Sequence, residues 1–181
     1  VELSEKMVPT CHPNAFLILG EPGSGKSCLV CRLIMETDRY SNLVPLVLPV
    51  SDMVKRSSQD LDLLNSLESS VLYDWFDKYL RITWGEDSLR YCMVVQAIKM
   101  NRVLFLFEGL EDGGRFTPVI EACIRKLILE RHLVVVTSRP ILAGQSMLEE
   151  MCEYMTVMRL GELLDEHKRQ IAHARLGLEG I

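Results

Sequence analysis

Eight consecutive residues, Gly20-Glu21-Pro22-Gly23-Ser24-Gly25-Lys26-Ser27, declare their chemistry most openly in this chain. They fit the pattern G-x-x-x-x-G-K-[ST], in which a glycine-rich turn cradles the phosphates of a nucleotide. Glycine lets the backbone curl until successive N–H groups face one anion. A helix starting near Lys26 adds the positive end of its dipole to the same field. Lys26 is then the cation for the β- and γ-phosphates, and the Ser27 hydroxyl is a ligand for Mg²⁺. The pattern carries this meaning only between a strand and a helix. Here apolar Ala15-Phe16-Leu17-Ile18-Leu19 precedes it, and the helical run Cys28-Leu29-Val30-Cys31-Arg32-Leu33-Ile34-Met35 follows.

A second chemical segment is Val103-Leu104-Phe105-Leu106-Phe107-Glu108-Gly109-Leu110-Glu111-Asp112. An apolar strand runs into a carboxylate, and two further acids follow. In nucleotide-hydrolysing proteins with a phosphate loop, a carboxylate at such a strand end holds the Mg²⁺ shell. Glu108 takes that position. Glu111 and Asp112 are the candidates for a general base that polarises the attacking water, and Gly109 lets the chain turn at the strand end. A solvated acidic loop capping a buried strand would show the same residues. The third segment is Val134-Val135-Val136-Thr137-Ser138-Arg139-Pro140. Arg139 follows a buried strand, at the carboxyl edge where open α/β sheets bind ligands. There it could touch a γ-phosphate and distinguish ATP from ADP. A surface arginine at a strand-to-turn junction is the plainer alternative.

These segments need elements to hold them. Strands are expected at Ala15–Leu19, Val103–Phe107 and Leu133–Thr137, all nearly continuous apolar runs, as in a sheet covered on both faces. Leu43–Val50 is apolar but contains Pro45 and Pro49, which restrict it to an edge or to strand ends. Tyr154–Leu160 is expected as the last strand. Helices are expected over Lys26–Glu36, in parts of Ser51–Ser70, over Val71–Ile82 with a core stripe of Leu72, Trp75, Phe76, Tyr79 and Leu80, and over Ser88–Met100. Others are expected over Phe116–Arg131, within Pro140–Glu153, and over Asp165–Leu176. Alternation of strand and helix implies right-handed crossovers. The fold class is α/β: three layers, with a mainly parallel five-stranded sheet between helices. Residues 1–13 are expected to be a lead-in, 14–160 the core, and 161–181 a C-terminal helix opening a further helical region. The chain opens with Val1, and we expect it to be a piece of a longer protein.

The chain has 181 residues, 48% of them hydrophobic, which suits one folded domain and excludes wholesale disorder. A net charge of −5 without a basic stripe argues against a nucleic-acid surface. No run approaches the length of a membrane-spanning helix, and the opening residues are not expected to be a signal peptide, since they lack its basic-then-apolar pattern. Cys11, Cys28, Cys31, Cys92, Cys123 and Cys152 are scattered. Free thiols of this kind suit a reducing compartment, and a cytoplasmic location is expected. Cys28 and Cys31 form a C-x-x-C with no second half of a zinc site. They are expected to be buried helical thiols.

Together GEPGSGKS at 20–27, FEGLED at 107–112 and TSRP at 137–140 resemble the NACHT family of STAND-class P-loop NTPases, relatives of the AAA+ ATPases. That family carries a phosphate loop, then a strand ending D-G-x-D-E, then a strand ending T-S-R-P. The resemblance spans about residues 14 to 160, and TSRP is its most specific piece. It implies binding of ATP and ADP with Mg²⁺, with the loop Gly20, Glu21, Pro22, Gly23, Ser24, Gly25, Lys26 and Ser27 and with Arg139 on the nucleotide. It also implies a role as a signalling switch that works through self-association or adjacent domains. The departures are Glu108 where the family has Asp, and Glu111-Asp112 where it has the two acids in the other order. Mg²⁺ demands near-ideal octahedral geometry, so a longer arm at 108 should leave nucleotide binding intact and make hydrolysis slow or absent. The core alone is expected to bind nucleotide without switching well.

Two other functions fit parts of the pattern. A small-molecule or nucleotide kinase uses the same loop and adds a basic lid. Arg125, Lys126 and Arg131 are the basic cluster on offer, and a solvated helix face explains them as well. A scaffold that has lost nucleotide would keep the fold but has no need of Lys26 and Ser27.

Overall fold

The computed structural model describes residues 14–40, 42–60, 63, 72–140, 155–161 and 164–176. The strands are β1 (Ala15–Leu19), β2 (Val44–Pro49), β3 (Val103–Glu108), β4 (Leu133–Ser138) and β5 (Thr156–Arg159). The helices are α1 (Lys26–Tyr40), α2 (Val50–Gln59), α3 (Leu72–Trp84), α4 (Leu89–Lys99), α5 (Thr117–Leu129) and α6 (Asp165–Leu176), with a 3₁₀ helix at Leu110–Phe116. The strands form one five-stranded sheet in the order β2-β3-β4-β1-β5. All its pairings are parallel. Every strand therefore ends at the same edge, and β4 lies between β1 and β3.

The sequence explains most of this layout. Pro45 and Pro49 lie in β2, which pairs only with β3 among the described strands. Prolines cannot donate to a second ladder, so the edge is where such a strand fits. Helix α1 runs one turn beyond the expected Glu36. The 3₁₀ helix was not expected: Gly113-Gly114 reads as a break, and Gly114 does kink inside it at φ 51°. Buried Leu110 and Phe116 pin its two ends. The aromatic stripe of α3 is core, with Trp75 and Tyr79 buried and stacked at 5.8 Å. Ser88 caps α4, its hydroxyl accepting from the Tyr91 N–H at 3.1 Å. The expected helices within Ser51–Ser70 appear as α2, and residues 64–70 lie outside the described residues, as do 1–13 and 141–153.

The two sheet faces carry different loads. One face, with Leu17, Leu48, Phe105, Phe107 and Val136, packs in a large cluster with residues of α2 to α5. The other carries a small cluster in which Val30 of α1 meets Ile18, Leu104, Leu106 and Val135. Leu29, Leu33 and Ile34 of α1 lie half-buried against it. Among the described residues no helix is long and apolar enough to cross a membrane.

His132 sits buried just before β4, its ring edge-on to Phe105 at 5.3 Å. Burial lowers its pKa below the ordinary 6.5, against the opposing pull of Glu130. The unfolded chain thus takes up a proton near pH 6.5, while the folded one resists until lower pH. The contribution is full above that value and declines as pH drops from it to the folded pKa. Urea unfolding across about pH 5 to 7.5 should show stability falling toward acid, and His132→Phe should flatten that slope. Equal slopes would clear His132 of the effect.

Candidate functional site

The loop after β1 is built as a phosphate cradle requires. Gly23 and Gly25 sit at φ 79° and 95°, where a side chain would strain the backbone. A Cβ on Gly20 would lie 2.4 Å from the Ser24 hydroxyl, so a side chain there would force Ser24 to move. The Ser24 hydroxyl oxygen is itself buried and has no hydrogen-bond partner in the protein. Lys26 opens α1 and folds its ammonium back over the loop, donating to the carbonyls of Gly20 at 2.6 Å and Glu21 at 3.1 Å. The first turn of α1 holds no acidic residue of its own, which leaves its positive end open to an anion.

β4 ties this loop to the second segment. Its Ser138 carbonyl accepts from Gly20 N–H at 3.1 Å on one side, and its Thr137 carbonyl accepts from Gly109 N–H at 3.2 Å on the other. The buried Thr137 hydroxyl also accepts from Gly109 N–H, at 3.1 Å. Gly109 adopts left-handed φ 76°, ψ 55° and turns the chain directly after Glu108. With both loops fixed to one strand, the side chains meet across it. The Ser27 hydroxyl donates to Glu108 Oε1 at 2.5 Å, although the two are 81 residues apart.

Glu111 and Asp112 stand on the 3₁₀ helix after that turn. Glu111 holds Arg139 twice: Oε2 accepts from the backbone N–H at 3.2 Å, and Oε1 lies 3.2 Å from Nε. Asp112 is exposed, and its carboxylate leans over Gly109, where a Cβ would be 3.2 Å from Oδ2. The structure thus brings Ser27 to Glu108 and Glu111 to Arg139, all on the carboxyl edge of the sheet. Sequence reading missed Thr137 as the residue that fixes Gly109. It also missed the Glu111–Arg139 pair, which no local pattern encodes. The threonine of TSRP, at the very end of an apolar strand, was the available signal for the first.

The residues suit Mg²⁺ only in company. Among the described residues no three His, Cys, Asp or Glu side chains gather to hold a metal. Mg²⁺ takes one or two protein ligands and fills the rest with phosphate and water. Ser27 and Glu108, beside a phosphate cradle, fit that habit. The other basic cluster lies elsewhere. Arg125 and Lys126 are half-buried near the end of α5, and Arg131 precedes β4. The first two line an open groove of about 640 Å³ between α3, α4 and α5. α5 returns the chain to the amino edge, so this cluster lies opposite the phosphate loop. The burial expected of Cys28 and Cys31 is corrected: both are exposed, and only Cys123 of the described cysteines is buried. Burial pushes the Cys123 thiol up to about 12.

Comparison with known proteins agrees with this geometry. No curated protein matches the chain. Among solved structures, PCH-2 of C. elegans aligns at TM-score 0.48 and 17% identity, over 90% of this chain and 40% of that one. A structure of the E. coli MS115-1 HORMA:CdnC:Trip13 complex aligns at TM-score 0.53 and 11% identity, over 94% of this chain and 56% of that one. At such identity the second likeness concerns the fold alone, and the chain spans about half the length of these relatives or less. The sequence model of the NACHT domain matches residues 14–177. That match takes in the phosphate loop, the acidic strand end and the TSRP turn together, and the chain belongs to the NACHT family of P-loop NTPases.

Proposed function

We propose that the chain is the Mg·ATP- and Mg·ADP-binding core of a signalling switch, with slow or absent hydrolysis. The observation that supports it best is the 2.5 Å contact of Ser27 with Glu108 beside the Lys26-closed loop. In this reading the N–H groups of Gly23 and of Gly25 to Ser27 cradle the phosphates, while those of Gly20 and Ser24 hold the loop through the Ser138 and Glu21 carbonyls, and Lys26 exchanges its two carbonyl acceptors for phosphate oxygens. Ser27 and Glu108 hold Mg²⁺, which when bound neutralises phosphate charge. Residues 14–160 form the core, and α6 begins a helical region. Self-association or neighbouring domains would read the nucleotide state, and the cytoplasm is the compartment we assign.

Glu111 or Asp112 orients water, and hydrolysis is slow for two reasons. Glu108 is one methylene longer than the family's Asp. Glu111, one of the two candidate bases, is already engaged with Arg139. Calorimetric titration with Mg·ATP and Mg·ADP tests the reading: saturable heats are expected for both, and none for either would refute it. The kinase reading loses support because its basic cluster lies at the opposite sheet edge.

Arg139 is proposed to sense the outer phosphate after leaving Glu111. Arg139→Ala should reduce the preference for ATP over ADP by about tenfold, the worth of one charge-assisted hydrogen bond. The ratio of the two dissociation constants measures it. An unchanged ratio would make Arg139 structural, a tie between β4 and the 3₁₀ helix.

A further inference from the structure

Helix α1 shows two faces. Leu29, Val30, Leu33, Ile34 and Thr37 turn toward the sheet and are buried or half-buried, while Cys28, Cys31, Arg32 and Met35 are exposed. Cys28 and Cys31 are thus neighbours one turn apart on the open face, and Cys28 follows Ser27 directly. We propose that they form an oxidisable dithiol that closes to a disulfide under a hydroperoxide and thereby loosens the phosphate loop.

The chemistry balances without a metal. One sulfur attacks an oxygen of the hydroperoxide; the O–O bond breaks, the sulfur becomes a sulfenic acid, and an alcohol or water leaves. The other sulfur attacks the sulfenic sulfur; the S–S bond forms, and hydroxyl departs as water with the second thiol's proton. Two thiols lose two electrons, and the hydroperoxide gains them.

Geometry links this bond to the loop. Residues three apart on a helix have Cβ atoms about 5–6 Å apart, whereas a disulfide needs about 3.5–4.5 Å. Closing the gap draws in roughly 1–2 Å from the first turns of α1. Those turns carry Lys26 and Ser27, and Leu29 N–H is bonded to Gly25 O at 2.9 Å. The oxidised helix therefore offers the phosphates a displaced cation and hydroxyl. By linkage, bound nucleotide opposes the oxidation to the same degree. This coupling rests on the nucleotide reading; the disulfide itself does not.

The test treats the reduced chain with hydrogen peroxide, caps remaining thiols and maps peptides by mass. A Cys28–Cys31 disulfide is expected as the main product. Oxidised protein should bind Mg·ADP about tenfold more weakly, a typical coupling, and dithiothreitol should restore binding. Cys31→Ser should keep the reduced affinity and lose the response to peroxide. Absence of the 28–31 bond overturns the proposal, and so does an equal loss of affinity in wild type and Cys31→Ser. If the bond forms but the reduced chain binds no nucleotide, the dithiol site is supported, while the coupling and the proposed function fall.

Discussion

Lys26→Ala is expected to weaken Mg·ATP binding by about 3 kcal/mol, roughly a hundredfold, without lowering the melting temperature. Hydrogen bonds to charged groups are worth about 1.5–3 kcal/mol each, and a phosphate would receive more than one from this ammonium. Lys26 donates to the Gly20 and Glu21 carbonyls, the latter contact exposed to solvent. Water can serve both acceptors once the ammonium is gone, so the fold loses little. Lys26→Arg should rescue only part of the affinity, because a planar fork cannot act as a compact point charge. Calorimetry reads the affinities and thermal melting reads the fold. Equal, negligible heats for wild type and Lys26→Ala would support the scaffold reading, whereas equal, substantial heats would remove the lysine from the site.

The second large effect is expected at Glu108. The gain in ADP affinity on adding Mg²⁺ should shrink by about 10–100-fold in Glu108→Gln, the usual cost of disturbing a metal's surroundings. Glu108→Asp should enlarge that gain and raise ATP turnover. An octahedral Mg²⁺ sets neighbouring ligand oxygens about 3 Å apart. Ser27 Oγ and Glu108 Oε1 stand at 2.5 Å, in a direct hydrogen bond. The glutamate thus reaches the hydroxyl itself, and the direct bond must give way for the pair to share an ion. Aspartate would hold its carboxylate back by one methylene. Since about 1 Å of misplacement can cost on the order of a hundredfold in rate, the shorter acid has room to improve turnover. Titrations with Mg²⁺ and with a chelator separate the two variants. A Gln variant that keeps the full Mg²⁺ gain would take Glu108 off the metal.

The parts legible in the sequence were those whose cause is local. The phosphate loop announces itself because glycine spacing and a following Lys-Ser admit few other uses. β2 could be placed at an edge from Pro45 and Pro49, since a missing N–H is a local fact with a topological result. Cys28 and Cys31 were misread for a reason also present in the sequence. Apolar residues at 29, 30, 33 and 34, with 37, mark the inner face of α1, and that phase turns 28 and 31 outward. Their apolar neighbours concealed the phase. The 3₁₀ helix was hidden because Gly113-Gly114 suggests a break, while the anchors Leu110 and Phe116 act through tertiary burial. The partnership of Glu111 with Arg139, and of Thr137 with Gly109, joins residues 28 apart. Only the sheet order makes them neighbours, and no spacing rule carries that order.

The unequal loads on the two sheet faces bear on how such a core registers its ligand. Among the described residues, the helix bearing the phosphate cradle has Val30 as its one buried apolar anchor, while its opposite layer rests on a broad aromatic bed. Local opening follows the sparsest packing. This helix is therefore expected to open more readily than the helices of the broad layer, and an anion clasped at its tip would act as a further anchor. Nucleotide would then be registered as stiffening of one helix, with the rest of the sheet unchanged.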